Sequence, residues 1–132
     1  MVVWLPGNRL LDGGRVFFPA TARGITMISL GAAGTIAEAD IVLNRSLTWF
    51  TDFNAVRIND FFVEEVALHE IGHLLGFNHA TIGGATMFWT NPGGVDHTAG
   101  LSADEAAGLK ALYGTPAGLA AVGRVAGRVT LN

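Results

Sequence analysis

The sequence predicts an α+β fold in one compact domain, and three observations carry that reading. Two stretches of strand composition precede two stretches of helical pattern. Half of the 132 residues are hydrophobic, enough for a real core, while the length is too short for two ordinary domains. Only 14% of residues are charged, against about 25% in an average soluble domain, so little of the chain has the composition of disorder.

Residues 1–23 mix apolar residues with Pro6, Gly7, Gly13, Gly14 and Pro19, which permits short extended pieces and no long helix. Ile25, Thr26, Met27, Ile28, Ser29 and Leu30 form the first clear strand. Gly31 to Thr35 is a turn, and a second strand runs from about Ile36 to Leu43. Trp49 and Phe50 lie in a polar, irregular segment that lasts to Asn59 or Asp60, either of which can cap a helix expected from about Phe61 to Leu75. Glu64 and Glu65 suit its early turns. At 100° per residue Ala67, Ile71, Leu74 and Leu75 share one side, expected to pack on the sheet, and His69, Glu70 and His73 share another, facing a cleft. Gly76 suits the left-handed position that ends a helix. Glycines and Pro92 mark a long loop region between residues 83 and 94, and His97 reads as a loop residue. Ser102 and Glu105 form a capping box for a last helix from Ala103 to about Tyr113, stopped by Gly114. The expected organisation is a domain over residues 1–114 and a Gly-rich tail or linker over 115–132 that leads into a strand or further domain.

Charge and cysteine content exclude several function classes. A net charge of −3 offers no basic stripe for nucleic acid. The absence of cysteine rules out disulfides, thiolate ligands and a thiol nucleophile. No apolar run approaches the roughly 18 residues of a membrane span, and no signal-type segment opens the chain.

His69 and His73 are four apart on the expected helix, so their rings sit one turn apart on one face and can converge on one ion. A catalytic zinc takes three protein ligands and keeps one position open. The third ligand is His79, which a helix continued through Gly76 would carry away and a glycine turn brings back. Glu70, beside the first ligand, is badly angled for coordination and within reach of a water at the open position. Zinc acidifies such a water to a pKa of about 7 and polarises a carbonyl. Glu70 is then the general base, and in its acid form the proton donor to a departing amine. Amide hydrolysis is the natural use of these parts.

The string His69-Glu70-Ile71-Gly72-His73-Leu74-Leu75-Gly76-Phe77-Asn78-His79, with Met87 eight residues beyond His79, resembles the extended zinc motif and Met-turn of the metzincin metallopeptidases, in the spacing of the matrixin branch. The closing segment Leu101 to Gly114 and the string Glu38 to Asn44 are similar to bacterial matrixin-like domains. Trp89 stands where astacin-like and serralysin-like relatives carry a tyrosine. The resemblance implies a twisted mixed sheet, an active-site helix, and a small C-terminal subdomain holding the Met-turn and final helix. It implies that Ile25 to Leu30 is the edge strand onto which an extended substrate adds. It makes Met87 a hydrophobic floor under the zinc, where the residue alone reads equally as a core methionine. It also implies a secreted or periplasmic monomer acting on protein or peptide substrates as a zinc endopeptidase. Calcium is a second cofactor to consider, through Glu38, Asp40 and Asp52, although solvated loop acids explain these as well. Two other readings remain open: a zinc-bearing domain that binds a peptide or partner without cleaving it, and an α+β interaction domain in which the histidines occur by chance.

Overall fold

In the computed structural model the described residues are 22–55, 57–90 and 100–120, together with the strands at 2–5, 10–12 and 15–16. The chain divides into two compact units, Met1–Gly100 and Leu101–Asn132.

The first unit is built on a three-stranded mixed sheet. Strand β5 (Ile36–Asn44) is central, with β1 (Val2–Leu5) parallel to it and β4 (Gly24–Leu30) antiparallel on its other side. Strands β2 (Leu10–Asp12) and β3 (Arg15–Val16) pair with each other. A short 3-10 turn at Ala32–Gly34 joins β4 to β5. Helix α1 (Val63–Leu74) packs on one face of the sheet.

Period-two alternation along β5 makes the core two-sided. Ile41 and Leu43 project toward α1, where they meet Val66 with Trp49, Val63 and Leu74 around them. Val42 projects to the opposite face, against Ala22, Ile25 and Met27. Leu43 and Val42 are the largest fully buried side chains, and each contributes about 1.5–3 kcal/mol by leaving water. At the end of β5, Asn44 is a polar hinge pin. Its Nδ2 donates to the Ala22 carbonyl at 3.1 Å, its Oδ1 accepts from the Ser46 N–H at 3.0 Å, and its own carbonyl accepts from Trp49 Nε1 at 2.9 Å.

The approach to α1 departs from the expected irregular segment and cap. Trp49–Phe50 (β6) and Phe61–Phe62 (β7) form a short parallel pair. Phe62, nearly fully buried, stacks at 5.4 Å from Phe50 and 5.7 Å from Phe53. Pairing keeps Phe61 and Phe62 extended, so α1 starts two residues later than expected, with Phe62 at the N-cap and no side-chain cap. Asn59 turns the chain at φ 75°, and Asp60 accepts from Arg57 at 3.4 Å; neither caps. Glu64 and Glu65 do fall in the first turn.

The buried face of α1 also differs from the apolar side read from the sequence. Ile71 is 40% exposed, whereas Glu65, Val66, Glu70 and Gly72 are buried. Two neighbours enclose the helix on different flanks, β4 over Glu70 and the loop carrying Met87 over Gly72, and an apolar count alone assigns both positions to solvent.

In the second unit, α2 (Ala103–Tyr113) begins with the expected capping box: Ser102 Oγ accepts from the Glu105 N–H at 3.3 Å while Glu105 Oε2 accepts from the Ser102 N–H at 2.7 Å. Gly114 is the C-cap. Beyond it, residues expected as tail form a helical turn, α3 (Pro116–Ala120). The expected strand after it, and the loop residues 91–99 with His97, lie outside the described residues. No helix among the described residues is long and apolar enough to cross a membrane.

Candidate metal centre

Helix α1 carries His69 and His73 on successive turns. Its end is a Schellman motif: the Phe77 N–H donates to the Gly72 carbonyl and the Gly76 N–H to the His73 carbonyl, both at 3.0 Å, with Gly76 at φ 93°. That left-handed residue reverses the chain and returns His79 to the face of His69 and His73. The three imidazoles are the one group of close metal-binding side chains found among the described residues, with ligating atoms all within 4.8 Å of one another.

The ring nitrogens are sorted by their partners. His69 Nδ1 donates to the Thr86 carbonyl at 2.7 Å, and His73 Nδ1 to the Phe77 carbonyl at 2.8 Å. A carbonyl can only accept, so in the neutral rings the proton is on Nδ1 and the lone pair on Nε2 points inward. Nε2 of His73 lies 3.1 Å from that of His69 and 3.2 Å from that of His79. Tetrahedral zinc with Zn–N bonds of about 2.0–2.1 Å separates its nitrogens by roughly 3.3–3.4 Å. Three imidazole donors, two of the pairs at nearly this spacing and two of the rings oriented by main-chain carbonyls, suit zinc in donor type. Burial and the adjoining His73 and His69, opposed by Glu70, hold the His79 imidazole below its ordinary 6.5, which favours the neutral ring that a metal ligand requires.

Glu70 points to the other flank of α1, toward β4. It is buried, and Thr26 Oγ1 lies 2.7 Å from its Oε2 and 2.8 Å from its main-chain carbonyl. Burial pushes its carboxyl above the usual 4.5, while the Thr26 hydrogen bond and the facing His73 and His79 pull the other way. Gly24 makes room for it, since a Cβ there would lie 2.6 Å from Glu70 Oε1.

Met87 is 2% exposed in a turn closed by the Phe88 N–H on the Ala85 carbonyl at 3.0 Å. Its sulfur packs against Gly72 in the space that a side chain at 72 would take. The turn is held from two sides: the Ala80 N–H donates to the Met87 carbonyl at 2.6 Å, and Thr86 Oγ1 donates to the Gly100 carbonyl at 2.7 Å. The same turn thus packs on the helix through Met87 and orients His69 through Thr86.

These residues open on a cleft of about 1000 Å³, lined by the three histidines, Glu70, the start of β4 and the turn from Gly84 to Thr90. Of the strand read as a substrate edge, Ile25 and Thr26 line this cleft; Ile25 and Met27 also pack on Val42, and Ile28 and Leu30 are exposed. Among the described residues β4 pairs only with β5, so its outer edge is the margin of the sheet. Trp89 lines the cleft with 67% of its surface exposed. Glu38, Asp40 and Asp52 do not gather with a third ligand among the described residues; Asp52 Oδ1 instead accepts the Asn54 N–H at 3.0 Å.

Sequence reasoning passed over Gly24, Gly72 and the role of Thr26 beyond its strand, as well as the carbonyls of Phe77 and Thr86. Gly24 lies before the strand read from the sequence, and only the pairing of β4 with β5 places it on one face with Thr26 and turns that face toward α1.

The matrixin family model matches residues 23–114. The chain is 32% identical to human (Homo sapiens) matrilysin over 97 residues, 74% of this chain and 35% of that protein. It is 36% identical to the metalloendoproteinase 4-MMP of Arabidopsis thaliana over 78 residues, 55% of this chain and 21% of the relative. Identity reaches 48% with the macrophage metalloelastase of Oryctolagus cuniculus over 52 residues, 39% of this chain and 11% of that protein. The chain therefore spans only about a tenth to a third of the length of these relatives. With the mixed sheet, the three converging imidazoles and a match over most of its length, the chain belongs to the matrixin family.

Proposed function

We propose that this chain is a zinc-dependent endopeptidase in which His69, His73 and His79 hold the metal and Glu70 is the general base. The observation that carries the reading is the placement of a buried glutamate beside three imidazoles whose Nε2 atoms converge. Zinc, when bound, supplies the Lewis acidity that polarises a peptide carbonyl and acidifies water. Glu70 takes a proton from the attacking water and gives it to the departing amine, so the carboxyl ends the cycle as it began. Its burial makes the protonated form it passes through less costly than it would be for a solvated carboxylate. Gly24, Ile25 and Thr26 line the cleft from the margin of the sheet, where an extended peptide can add as an antiparallel strand. Met87 supports the histidines from below by packing on Gly72. On the resemblance, the enzyme works as a monomer outside the cytoplasm on protein or peptide substrates.

The test is cleavage of a mixed quenched-peptide library by the purified chain, with and without a zinc chelator. Chelator-sensitive cleavage is expected. Glu70→Gln should keep one zinc per chain and lose about 10²- to 10⁴-fold in kcat; equal turnover in the variant removes Glu70 from its role, and zinc binding without any cleavage by the parent chain points to a binding domain.

A further inference from the structure

Glu70 sits on a rigid helix, yet a glutamate has three rotatable side-chain bonds and can leave its working position. Zinc ligation does not restrain it, because the ligands are its neighbours at 69 and 73. Among the described residues its side-chain tether comes from 44 residues away: the Thr26 hydroxyl, 2.7 Å from Oε2. The same oxygen is 2.8 Å from the Glu70 carbonyl, so it touches the residue at both ends, main chain and carboxylate. The remaining carboxylate oxygen, Oε1, lies over Gly24, where even a methyl group would displace it.

Gly24 and Thr26 are two apart on β4 and so share a face. Their partners across the ladder are Leu43 and Ile41, the residues that meet α1, which fixes that face toward the helix. One strand thus provides an opening for one oxygen of the carboxylate and a donor for the other. Because this strand also forms the wall of the cleft, the carboxylate is referenced to the surface that an extended peptide would contact.

We propose that Thr26 is a positioning residue for the general base, with Gly24 as the second half of its cradle: the hydroxyl holds Oε2 and leaves Oε1 for proton exchange. This rests on the reading of Glu70 as the base. It assigns the threonine a role in turnover that a merely structural tie between β4 and α1 lacks. A structural tie tolerates an isosteric valine once the fold is formed. A positioning contact does not.

The experiment compares Thr26→Val, Thr26→Ser and Glu70→Gln in the full zinc-loaded chain, on one quenched peptide cleaved by the parent. Thr26→Val is expected to keep one zinc per chain and an unchanged KM, and to lose about 10- to 100-fold in kcat, the range of a hydrogen bond to a charged group. Thr26→Ser should recover most of that loss. If Thr26→Val fails to fold or to bind zinc, the pair Thr26→Ala and Thr26→Ser, which differ by the hydroxyl alone, reads the same quantity. A second readout needs no turnover. In the zinc-free chain, Thr26→Val should lower the melting temperature more when residue 70 is glutamate than beside Glu70→Ala, where only the main-chain carbonyl remains as acceptor; equal shifts in the two backgrounds overturn the side-chain contact. A kcat within twofold of the parent for Thr26→Val, with Glu70→Gln inactive, overturns the positioning role alone. An active Glu70→Gln variant instead overturns the base on which it rests.

Discussion

Helix α1 buries Glu70 and helix α2 buries Glu105, and they hold these carboxylates in opposite ways. In α2 the carboxylate of Glu105 accepts the N–H of Ser102, three residues away, as half of the capping box. In α1 the carboxylate of Glu70 accepts from Thr26 on a distant strand, has its pKa raised by burial, and keeps one oxygen out of that contact. The helix starts differ in the same sense. Helix α2 is begun by its own sequence, whereas α1 has no side-chain cap and starts where the pairing of β6 with β7 lets go. A carboxylate in its own helix's capping box stabilises that helix end, whereas one held from a distant strand stays beside the imidazoles, where the proposed chemistry needs it. Tertiary structure, which costs more to disturb, therefore defines the helix that carries the site.

This contrast can be broken most forcefully at Phe62. Serine is a far better N-cap than phenylalanine, so on local grounds Phe62→Ser strengthens α1. Because Phe62 is buried against Phe50 and Phe53, we expect instead a loss of about 3–5 kcal/mol in urea unfolding. A gain in stability would show that α1 is governed by its cap after all. A smaller effect is expected at Gly72. Alanine there is ideal for an isolated helix, yet its methyl group meets the Met87 sulfur, so Gly72→Ala should cost about 1–3 kcal/mol and weaken zinc retention. Dialysis against a graded chelator series measures the second effect; unchanged retention would detach Met87 from the centre. In α2, Ser102→Ala should cost about 1 kcal/mol, the ordinary value of a cap, with zinc content unaltered.

The finest distinction is in pH. A carboxyl whose folded pKa is raised penalises the fold when ionised; the penalty is present above the raised value and absent below the unfolded 4.5. Glu70→Gln should therefore raise the melting temperature of the zinc-free chain at neutral pH, with the gain fading as pH falls toward 4.5. A gain that persists unchanged in acid would mean that burial is not what the carboxylate suffers. His79 has the opposite sign: its lowered pKa makes the zinc-free fold lose stability as pH drops below 6.5, and more so in Glu70→Gln, which lacks the opposing charge.

What was legible in the sequence follows the same division between local and distant causes. The box at Ser102 and Glu105, the left-handed Gly76, the two main strands and the spacing that brings three imidazoles together all act within a few residues, and their signals are local. The start of α1 was not legible, because Asn59 and Asp60 look like caps until β6 and β7 are known to pair. Its buried face was misread because Ile71 outweighs Gly72 on any apolar scale, while the Met87 sulfur needs the glycine. Thr26 looked like any strand threonine, since the fold alone brings it to Glu70.

The carbonyls that orient His69 and His73 belong to Thr86 and Phe77, and every amino acid at those positions would present the same atom. Mutation can therefore drift through both side chains without unhooking either ring, so long as the backbone path survives. Inheritance of this centre depends on the shape of two turns as much as on the identity of three histidines, and a survey of side chains alone would overlook half of what is passed on.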